Sequence, residues 1–249
     1  MACHPSAWPE AVLNTVEPRQ ATPTASHDTV VGLVKRALPG ARADTCHDLA
    51  TTARLRTLAA DDTITRQGER IPLTLMVRGY AAFQRTTLNG HQLIVGTAEP
   101  GYMFGFGSIG SILSSVEVVA LTPAEAATWP GATIRRLAPQ DPGFAIDVIE
   151  RLARFLNVLT EKLDGFLHQD ARLRVIRVLA RHRDLFFGDP AILSRSHLPG
   201  LVGTSREMTG RVLRELEREG AVARVGRTGL RLLRPDLLDA LIAESSTRA

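Results

Sequence analysis

Four glycines recur at a regular interval in the first half of the chain. They are each 11 residues apart: Gly68, Gly79, Gly90 and Gly101. Glycine readily takes the positive φ of a tight turn. Short apolar runs lie between and after these glycines: IPLTLMV at 71–77, YAAFQRTTL at 80–88, HQLIVGTA at 91–98 and VEVVAL at 116–121. Short strands separated by turns every 8–12 residues are typical of an antiparallel sandwich or barrel, so the spacing predicts an antiparallel β domain.

The stretch FGFGSIG at 104–110 raises a different possibility, because Gly105, Gly107 and Gly110 match the G-x-G-x-x-G pattern of dinucleotide-binding proteins. That turn has to join a strand to a helix inside a βαβ unit. Here the following residues read partly as a strand, and no helix of useful length comes before Pro123. The context argues against a Rossmann site, and a nucleotide-dependent oxidoreductase is the least favoured function.

The spacing of apolar residues changes from a strand-like to a helix-like pattern after Pro139. Asp141-Pro142 is a good helix start, with an N-cap followed by proline at the first helical position. Apolar residues then recur with alternating spacings of three and four: Ile149, Leu152, Leu156, Leu159, Leu163 and Phe166. The positions between them are mostly polar or charged. This narrow seam predicts a dimer through a helix in 139–168, in preference to a core helix of a monomer.

Positive charge is concentrated near the C-terminus. Residues 172–234 carry 14 arginines against six acidic residues, whereas the rest of the chain has more acidic than basic residues. Arginine greatly outnumbers lysine throughout the chain, and such a bias affects both halves. The asymmetry therefore points to a polyanionic partner for the C-terminal part, and nucleic acid is favoured over a merely solvated surface.

The basic segment has the pattern of a helix-turn-helix. ARLRVIRVLARH at 171–182 predicts one helix, and LSRSHLPGLVG at 193–203 joins TSREMTGRVLRELEREG at 204–220 through Gly203. The last segment begins with a capping box from Thr204 to Glu207 and ends at Gly220. One face of that helix is apolar and is predicted to be core: Met208, Val212, Leu213 and Leu216. Pro199 removes an N–H from the second turn of the preceding helix.

The opposite face of this helix suits the major groove of DNA. Arg206 and Arg211 can read guanine, and Glu207 can accept from cytosine N4. Glu207 could instead only complete the capping box, and the arginines could pair along the helix. AVARVGRTGLRLL at 221–233 predicts a two-stranded wing. Predicted contacts to the DNA backbone are Thr204, Ser205, Gly210, Arg214, Arg224 and Arg227.

From about residue 45 to 242 the chain resembles the Crp/Fnr family, that of the cyclic-AMP receptor protein and the Fnr-type regulators. The resemblance rests on QG at 67–68, VRG at 77–79, NG at 89–90, PGYMFG at 100–105 and the 204–220 segment. It implies an α+β fold: an N-terminal antiparallel β-roll (a cyclic-nucleotide-binding-like jelly roll), a long dimerisation helix and a C-terminal winged helix-turn-helix. The expected boundaries are a flexible leader at 1–30, a sensory domain at 31–138, the helix at 139–168 and the DNA-binding domain at 169–249.

The same resemblance implies a homodimer on double-stranded DNA with an inverted repeat. Arg206, Glu207 and Arg211 fall on the family's base-reading positions and imply TGTGA-like half-sites. RNA polymerase is implied as a further partner if the chain is an activator.

The chain departs from the family in the nucleotide-binding loop. The glutamate expected after FG is Phe106, and the expected arginine falls near Ser114 or Ser115. Losing these charge-assisted bonds costs about 1.5–3 kcal/mol each, so cyclic AMP is disfavoured and no cofactor is predicted. The candidate effector pocket comprises Phe104, Gly105, Phe106, Gly107, Ser108, Ser114 and Ser115. Either its free backbone N–H groups bind a different small molecule, or Phe104 and Phe106 fill it.

Several other function classes are disfavoured. Cys3 and Cys46 are too few for a thiolate-held iron–sulfur cluster or a zinc finger, and no metal site is predicted. Haem sensing is a minor alternative that would use His47 or His91. No catalytic constellation is present, so we predict that the chain is not an enzyme. With no apolar run of about 18 residues and no secretory signal, it is expected to be cytoplasmic.

Overall fold

The computed structural model describes residues 24–87, 92–110 and 112–246. The elements up to residue 137 are α1 (His27–Ala37), α2 (Ala43–Thr52), β1 (Arg54–Leu58), β2 (Thr63–Thr65), β3 (Leu73–Arg78), β4 (Ala81–Thr86), β5 (Gln92–Ala98), β6 (Met103–Phe104), a 3₁₀ helix (Phe106–Gly110), β7 (Glu117–Ala120), β8 (Ala124–Trp129) and α3 (Ala132–Leu137). The later elements are α4 (Pro142–His168), α5 (Ala171–Arg181), α6 (Arg183–Phe187), α7 (Leu198–Val202), α8 (Arg206–Arg218), β9 (Val222–Val225), β10 (Gly229–Leu232) and α9 (Pro235–Ser246).

Strands β1 to β8 form two antiparallel sheets with the orders β1-β8-β3-β6 and β2-β7-β4-β5. One apolar core contains residues of both sheets, among them Met76, Phe104 and Val118. A second core joins the first sheet to α1, α2 and α4, with Trp129 and Phe144 fully buried. Because side chains alternate along β3, the sheet contributes to both cores.

The predicted antiparallel domain is confirmed. Strands occupy the four apolar runs, and Gly68, Gly79 and Gly101 have φ of +85°, +74° and +88°. Gly79 has a second constraint, since a Cβ there would lie 2.5 Å from the Pro123 carbonyl oxygen. Gly90 lies outside the described residues.

The N-terminal boundary differs from the expected leader of residues 1–30. Helix α1 begins at His27, where Ser26 Oγ accepts from the Thr29 N–H at 3.3 Å. Ala25 is buried, and its N–H donates to the Glu125 carboxylate at 2.9 Å. Residues 25–30 therefore belong to the β domain, and residues 1–23 lie outside the described residues.

Helix α4 begins and ends as predicted, and the Asp141 carboxylate accepts from the Phe144 N–H at 3.2 Å. Most of its seam is not covered by the described residues: Ile149, Leu156, Leu159, Leu163 and Phe166 are exposed, whereas Leu152 packs half-buried on the core. Phe166 also touches Gly203 of its own chain, so its environment differs from that of the other seam residues.

The C-terminal domain has its own apolar core, which α5, α7, α8 and the β9–β10 hairpin share with the unpredicted helices α6 and α9. The wing is confirmed, since Val225 pairs with Gly229 around a tip at Gly226–Thr228. Helix α7 begins only at Leu198. Pro199 thus lies in its first turn, where a backbone N–H would have no partner within the helix. The prediction that Pro199 removes an N–H from the second turn is therefore wrong.

Candidate nucleic-acid interface and sensory loop

The turn of the helix-turn-helix is made by Gly203, which adopts left-handed φ +66°, ψ +45°. Ser205 then caps α8, with its Oγ accepting from the Met208 N–H at 3.1 Å. The predicted capping box from Thr204 to Glu207 is therefore wrong by one residue. Since Ser205 is the extended residue before the helix, Glu207 is the second helical residue and cannot close the box.

The buried face of α8 differs from the prediction at one residue. Thr209, Val212, Leu213 and Leu216 are buried, whereas Met208, predicted to be core, is half-buried. The Thr209 hydroxyl is satisfied by donating to the Ser205 carbonyl at 2.9 Å.

An ion-pair cluster fixes the far end of α8. The Arg172 guanidinium of α5 lies 3.3 Å from the Glu215 carboxylate and 2.8 Å from that of Glu219. These partners, Glu219 foremost, raise the pKa of Arg172. The cluster holds the helix against the domain while its first turns remain open to solvent.

The three predicted base-reading residues lie on that open part of α8. The side chains of Glu207 and Arg211 are 85% and 57% exposed, and their charged groups are 3.8 Å apart. Arg206 is exposed and has no ion pair among the described residues. Two guanidinium forks and one carboxylate are therefore free to meet polar groups outside the protein.

A groove of about 390 Å³ runs between α8 and the wing. Five arginines line it: Arg195, Arg206, Arg214, Arg224 and Arg227. Gly210 also lines the groove, and a Cβ there would be 3.6 Å from the Arg214 side chain. The structure brings most of the predicted backbone-contacting residues to one basic surface.

Arg195 was not among the residues predicted to contact DNA. Its place just before the helix-turn-helix could have indicated such a role. Its backbone N–H donates to the Thr228 carbonyl at 2.9 Å, and its guanidinium donates to the carbonyls of Gly226 and Arg227. Arg195 thereby holds the tip of the wing beside the groove.

The two predicted arginines of the wing have different surroundings. Arg224 Nε donates to the Glu217 carboxylate at 2.8 Å, and this hydrogen bond lowers the pKa of Glu217. Arg227 is exposed and forms no ion pair within the described part of the chain. Only Arg227 of this pair has an uncommitted charge.

In the predicted effector loop, both phenylalanines are buried, but in separate cores. Phe104 belongs to the core shared by the two sheets and meets the Phe83 ring edge-on at a centroid distance of 5.0 Å. Phe106 packs in the core beneath α1, α2 and α4. Gly105 lies between them with φ +87°, and a Cβ there would be 2.0 Å from the Pro72 carbonyl oxygen. The aromatic side chains thus fill the protein interior at this position.

The serines of the loop have three different environments. Ser114 is buried and its hydroxyl donates to the Val116 carbonyl at 2.6 Å, whereas Ser115 is exposed. Ser108 is buried, and its hydroxyl has no hydrogen-bond partner in the described part of the chain. Gly107 is half-buried with open space at its Cβ position.

The haem hypothesis gains little support. His47 is exposed on α2 and stacks on His27 at a centroid distance of 5.8 Å, and His91 lies outside the described residues. Over the ranges that the structure covers, no three histidine, cysteine or acidic residues are grouped as metal ligands. None of the helices described is long and apolar enough to cross a bilayer.

The chain is similar to one protein-family model and to several characterised proteins. Residues 55–141 match the model of the cyclic nucleotide-binding domain. The chain is 30% identical over 188 residues to the cAMP-activated global transcriptional regulator Vfr of Pseudomonas aeruginosa, covering 70% of this chain and 86% of Vfr.

Solved structures share the fold. The c-di-GMP responsive global regulator CLP of Xanthomonas campestris matches with a TM-score of 0.66 at 24% identity, over 78% of this chain and all of CLP. A CRP/FNR-family transcriptional regulator of Thermus thermophilus matches with a TM-score of 0.65 at 21% identity, over 76% of this chain and 98% of that one.

Proposed function

The chain belongs to the Crp/Fnr family of DNA-binding transcription regulators, and from this premise we propose that it binds an inverted DNA repeat with TGTGA-like half-sites as a homodimer. It is a regulator and not the nucleotide-dependent oxidoreductase that its G-x-G-x-x-G pattern suggested. The observation that carries the proposal is the exposed group of Arg206, Glu207 and Arg211 on the first turns of α8.

These three side chains match the chemistry of the proposed half-site. Arginine donates two parallel hydrogen bonds to O6 and N7 of guanine, and glutamate accepts from N4 of cytosine. TGTGA with its complement offers a guanine and a cytosine at each of two G·C pairs that are separated by one T·A pair, within reach of residues one and five positions apart on a helix. The weak 3.8 Å contact between Glu207 and Arg211 orients both groups without occupying them.

Contacts to the DNA backbone would come from both sides of the groove. Arg214 on α8 and Arg227 on the wing tip carry exposed charges, while Ser205 and Thr204 lie at the start of the helix. Because Arg195 fixes the wing tip, Arg227 would meet a phosphate without first ordering a loop. Such contacts set the register of the protein on DNA rather than its base preference.

The uncovered seam of α4 supports the homodimer. Ile149, Leu156 and Leu163 are each more than half exposed along one stripe, which is unusual for leucine and isoleucine in a single chain. A two-fold partner would bury this stripe and present two copies of α8 to successive major grooves.

We further propose that cyclic AMP is not the effector, although the name of Vfr gives it that activator. Phe106 occupies the position of the expected ribose-binding glutamate, and its buried ring leaves no carboxylate there. A different small molecule, with haem as the minor alternative, would then regulate the protein. RNA polymerase would be a partner if the protein activates transcription.

The test is a fluorescence-anisotropy titration of the whole protein without ligand. The probes are a duplex with an inverted TGTGA repeat and a scrambled duplex, both at near-physiological salt. Arg211→Ala should lower the preference for the repeat by about 10- to 100-fold, since a bidentate base contact is worth about 1–3 kcal/mol. The matched control Arg218→Ala removes the same charge from the exposed last turn of α8 and should lower the affinity for both probes equally.

Site selection from random duplexes gives the decisive outcome for the half-site. Selected sites without a TGTGA-like element, or an unchanged base preference in Glu207→Ala, would overturn it. For the dimer, Leu156→Glu should yield monomers in analytical ultracentrifugation, whereas Asn157→Glu, at a polar position one residue on, should leave the dimer intact.

A further inference from the structure

A surface cavity of about 410 Å³ lies beside the 3₁₀ helix of the β domain, where it meets α3. The residues that shape it come from three distant parts of the sequence: Arg70, Ile71, Pro72, Ser108, Pro130 and Arg135. We propose that this cavity binds a small organic phosphate, a phosphate group joined to an apolar or planar body.

Two arginine side chains line the cavity and could pair with an anionic ligand. Neither Arg70 nor Arg135 forms an ion pair within the described residues, and Glu69, the acidic neighbour of Arg70, pairs instead with Arg66 at 3.5 Å. Arg135 Nε donates to the Ile109 carbonyl at 2.6 Å, which fixes its guanidinium against the 3₁₀ helix. The two terminal guanidinium nitrogens of Arg135 have no hydrogen-bond acceptor among the described residues. Paired guanidinium groups of this kind recognise phosphate oxygens.

A buried hydroxyl lines the same cavity. Ser108 is only 8% exposed and lines the cavity, and its Oγ lacks a hydrogen-bond partner among the residues that the structure describes. Gly131 allows this arrangement, because a Cβ there would be 2.8 Å from Ser108 Cβ. A buried hydroxyl without a partner is unfavourable, and a ligand oxygen in the cavity would satisfy it.

The remaining walls favour an organic ligand over a bare ion. Ile71, Pro72 and Pro130 present apolar surface, and the volume falls in the range of small-molecule sites. The cavity is also distinct from the interior of the nucleotide-binding loop, since Phe106 of the same 3₁₀ helix points into the core. The inference does not depend on the proposed DNA site, which lies in the other domain.

The test is isothermal titration calorimetry of the whole protein at pH 7.5 and 150 mM NaCl with phenyl phosphate, phenol and inorganic phosphate. Phenyl phosphate should bind at least tenfold more tightly than either of the other probes, which each lack one half of the ligand. Arg70→Ala and Arg135→Ala should each lower the affinity for phenyl phosphate by about tenfold or more, and Ser108→Ala should lower it by about threefold.

The matched control is Arg36→Ala on α1, an exposed arginine outside the cavity lining, which should leave the affinity unchanged. Circular dichroism spectra that match the wild type show that each variant is folded. Equal binding of phenol and phenyl phosphate, or full affinity in both arginine variants, would overturn the phosphate site. Equal binding of inorganic phosphate and phenyl phosphate would overturn the organic ligand.

Discussion

The ring of Phe166, near the end of α4, lies against Gly203 at the turn of the helix-turn-helix. A Cβ built on Gly203 would be 2.3 Å from Cε1 of that ring. Arg174 lies over the same ring at 5.7 Å from its centroid, and its Nε donates to the Val202 carbonyl at 3.2 Å. The long helix is thus joined to the DNA-binding turn within one chain, at a residue that the spacing alone assigned to the dimer seam.

Gly203→Ala should lower the free energy of unfolding of the C-terminal domain by about 2–4 kcal/mol. Its φ of +66° alone disfavours alanine by about 1 kcal/mol, and the clash with Phe166 adds to this. Gly220→Ala is the matched control, since Gly220 has φ +76° but open space around its Cβ position. Chemical denaturation measures both. Equal losses, or no partial rescue of Gly203→Ala by Phe166→Ala, would contradict the steric contact.

Glu217→Gln should strengthen binding to scrambled DNA by several-fold, because it removes a negative charge and releases Arg224 toward the groove. The slope of log K against log salt should steepen by about one, the amount expected for one added phosphate contact. Anisotropy titrations at several salt concentrations measure it. Glu219→Gln removes the same charge at the Arg172 cluster and should not change the slope. A slope unchanged by Glu217→Gln would rule out Arg224 as a phosphate ligand.

Lys162 should make stability depend on pH in the alkaline range. Its Nζ donates to the Val95 carbonyl of β5, and burial, aided by nearby Arg181, lowers its pKa to about 8. The unfolded chain keeps this proton up to about pH 10.4, so folding gains stability between pH 8 and 10.4. The stability of the wild type relative to Lys162→Met should rise by about 1–2 kcal/mol from pH 7 to 10, less than the full shift because the side chain is half-buried. Denaturation curves that give a constant difference would contradict this.

Asp141→Asn should lower the free energy of unfolding by about 2–4 kcal/mol. The buried carboxylate accepts from the Thr45 hydroxyl at 2.6 Å and the Arg42 N–H at 2.7 Å, in addition to capping α4. Asp170→Asn is the matched control, because Asp170 caps α5 from an exposed position and should cost about 1 kcal/mol or less. Urea denaturation at pH 7 compares the two, and equal losses would refute the special role of Asp141.

The same carboxylate predicts an acid dependence. Burial would raise the pKa of Asp141, but the bonds from Thr45, Arg42 and Phe144 outweigh it and hold the pKa below its ordinary value. Its stabilisation is therefore complete above the unfolded pKa near 3.9 and is lost as the pH falls through the lower folded pKa. The difference between wild type and Asp141→Asn should shrink over that acid range, and a difference that grows would contradict the assignment.

Elements with a strong local pattern could be predicted from the sequence. The turn glycines mark the strands around them because positive φ is a property of single residues. The cap at Asp141 and the seam of α4 mark a helix for the same local reason. Strand β8 had no such pattern: AEAATW is not alternating, since this central strand is buried on both faces between β1 and β3.

The antiparallel β domain, the long helix and the helix-turn-helix, in that order, could be predicted from the residues alone, because periodicity, caps and turn residues act within a few positions. Three features depend on the folded domain: Phe104 and Phe106 belong to different cores, Arg195 fixes the wing, and Arg70 and Arg135 line one cavity. Those pairings join residues far apart in the chain, and packing of the whole domain, not local pattern, places them together.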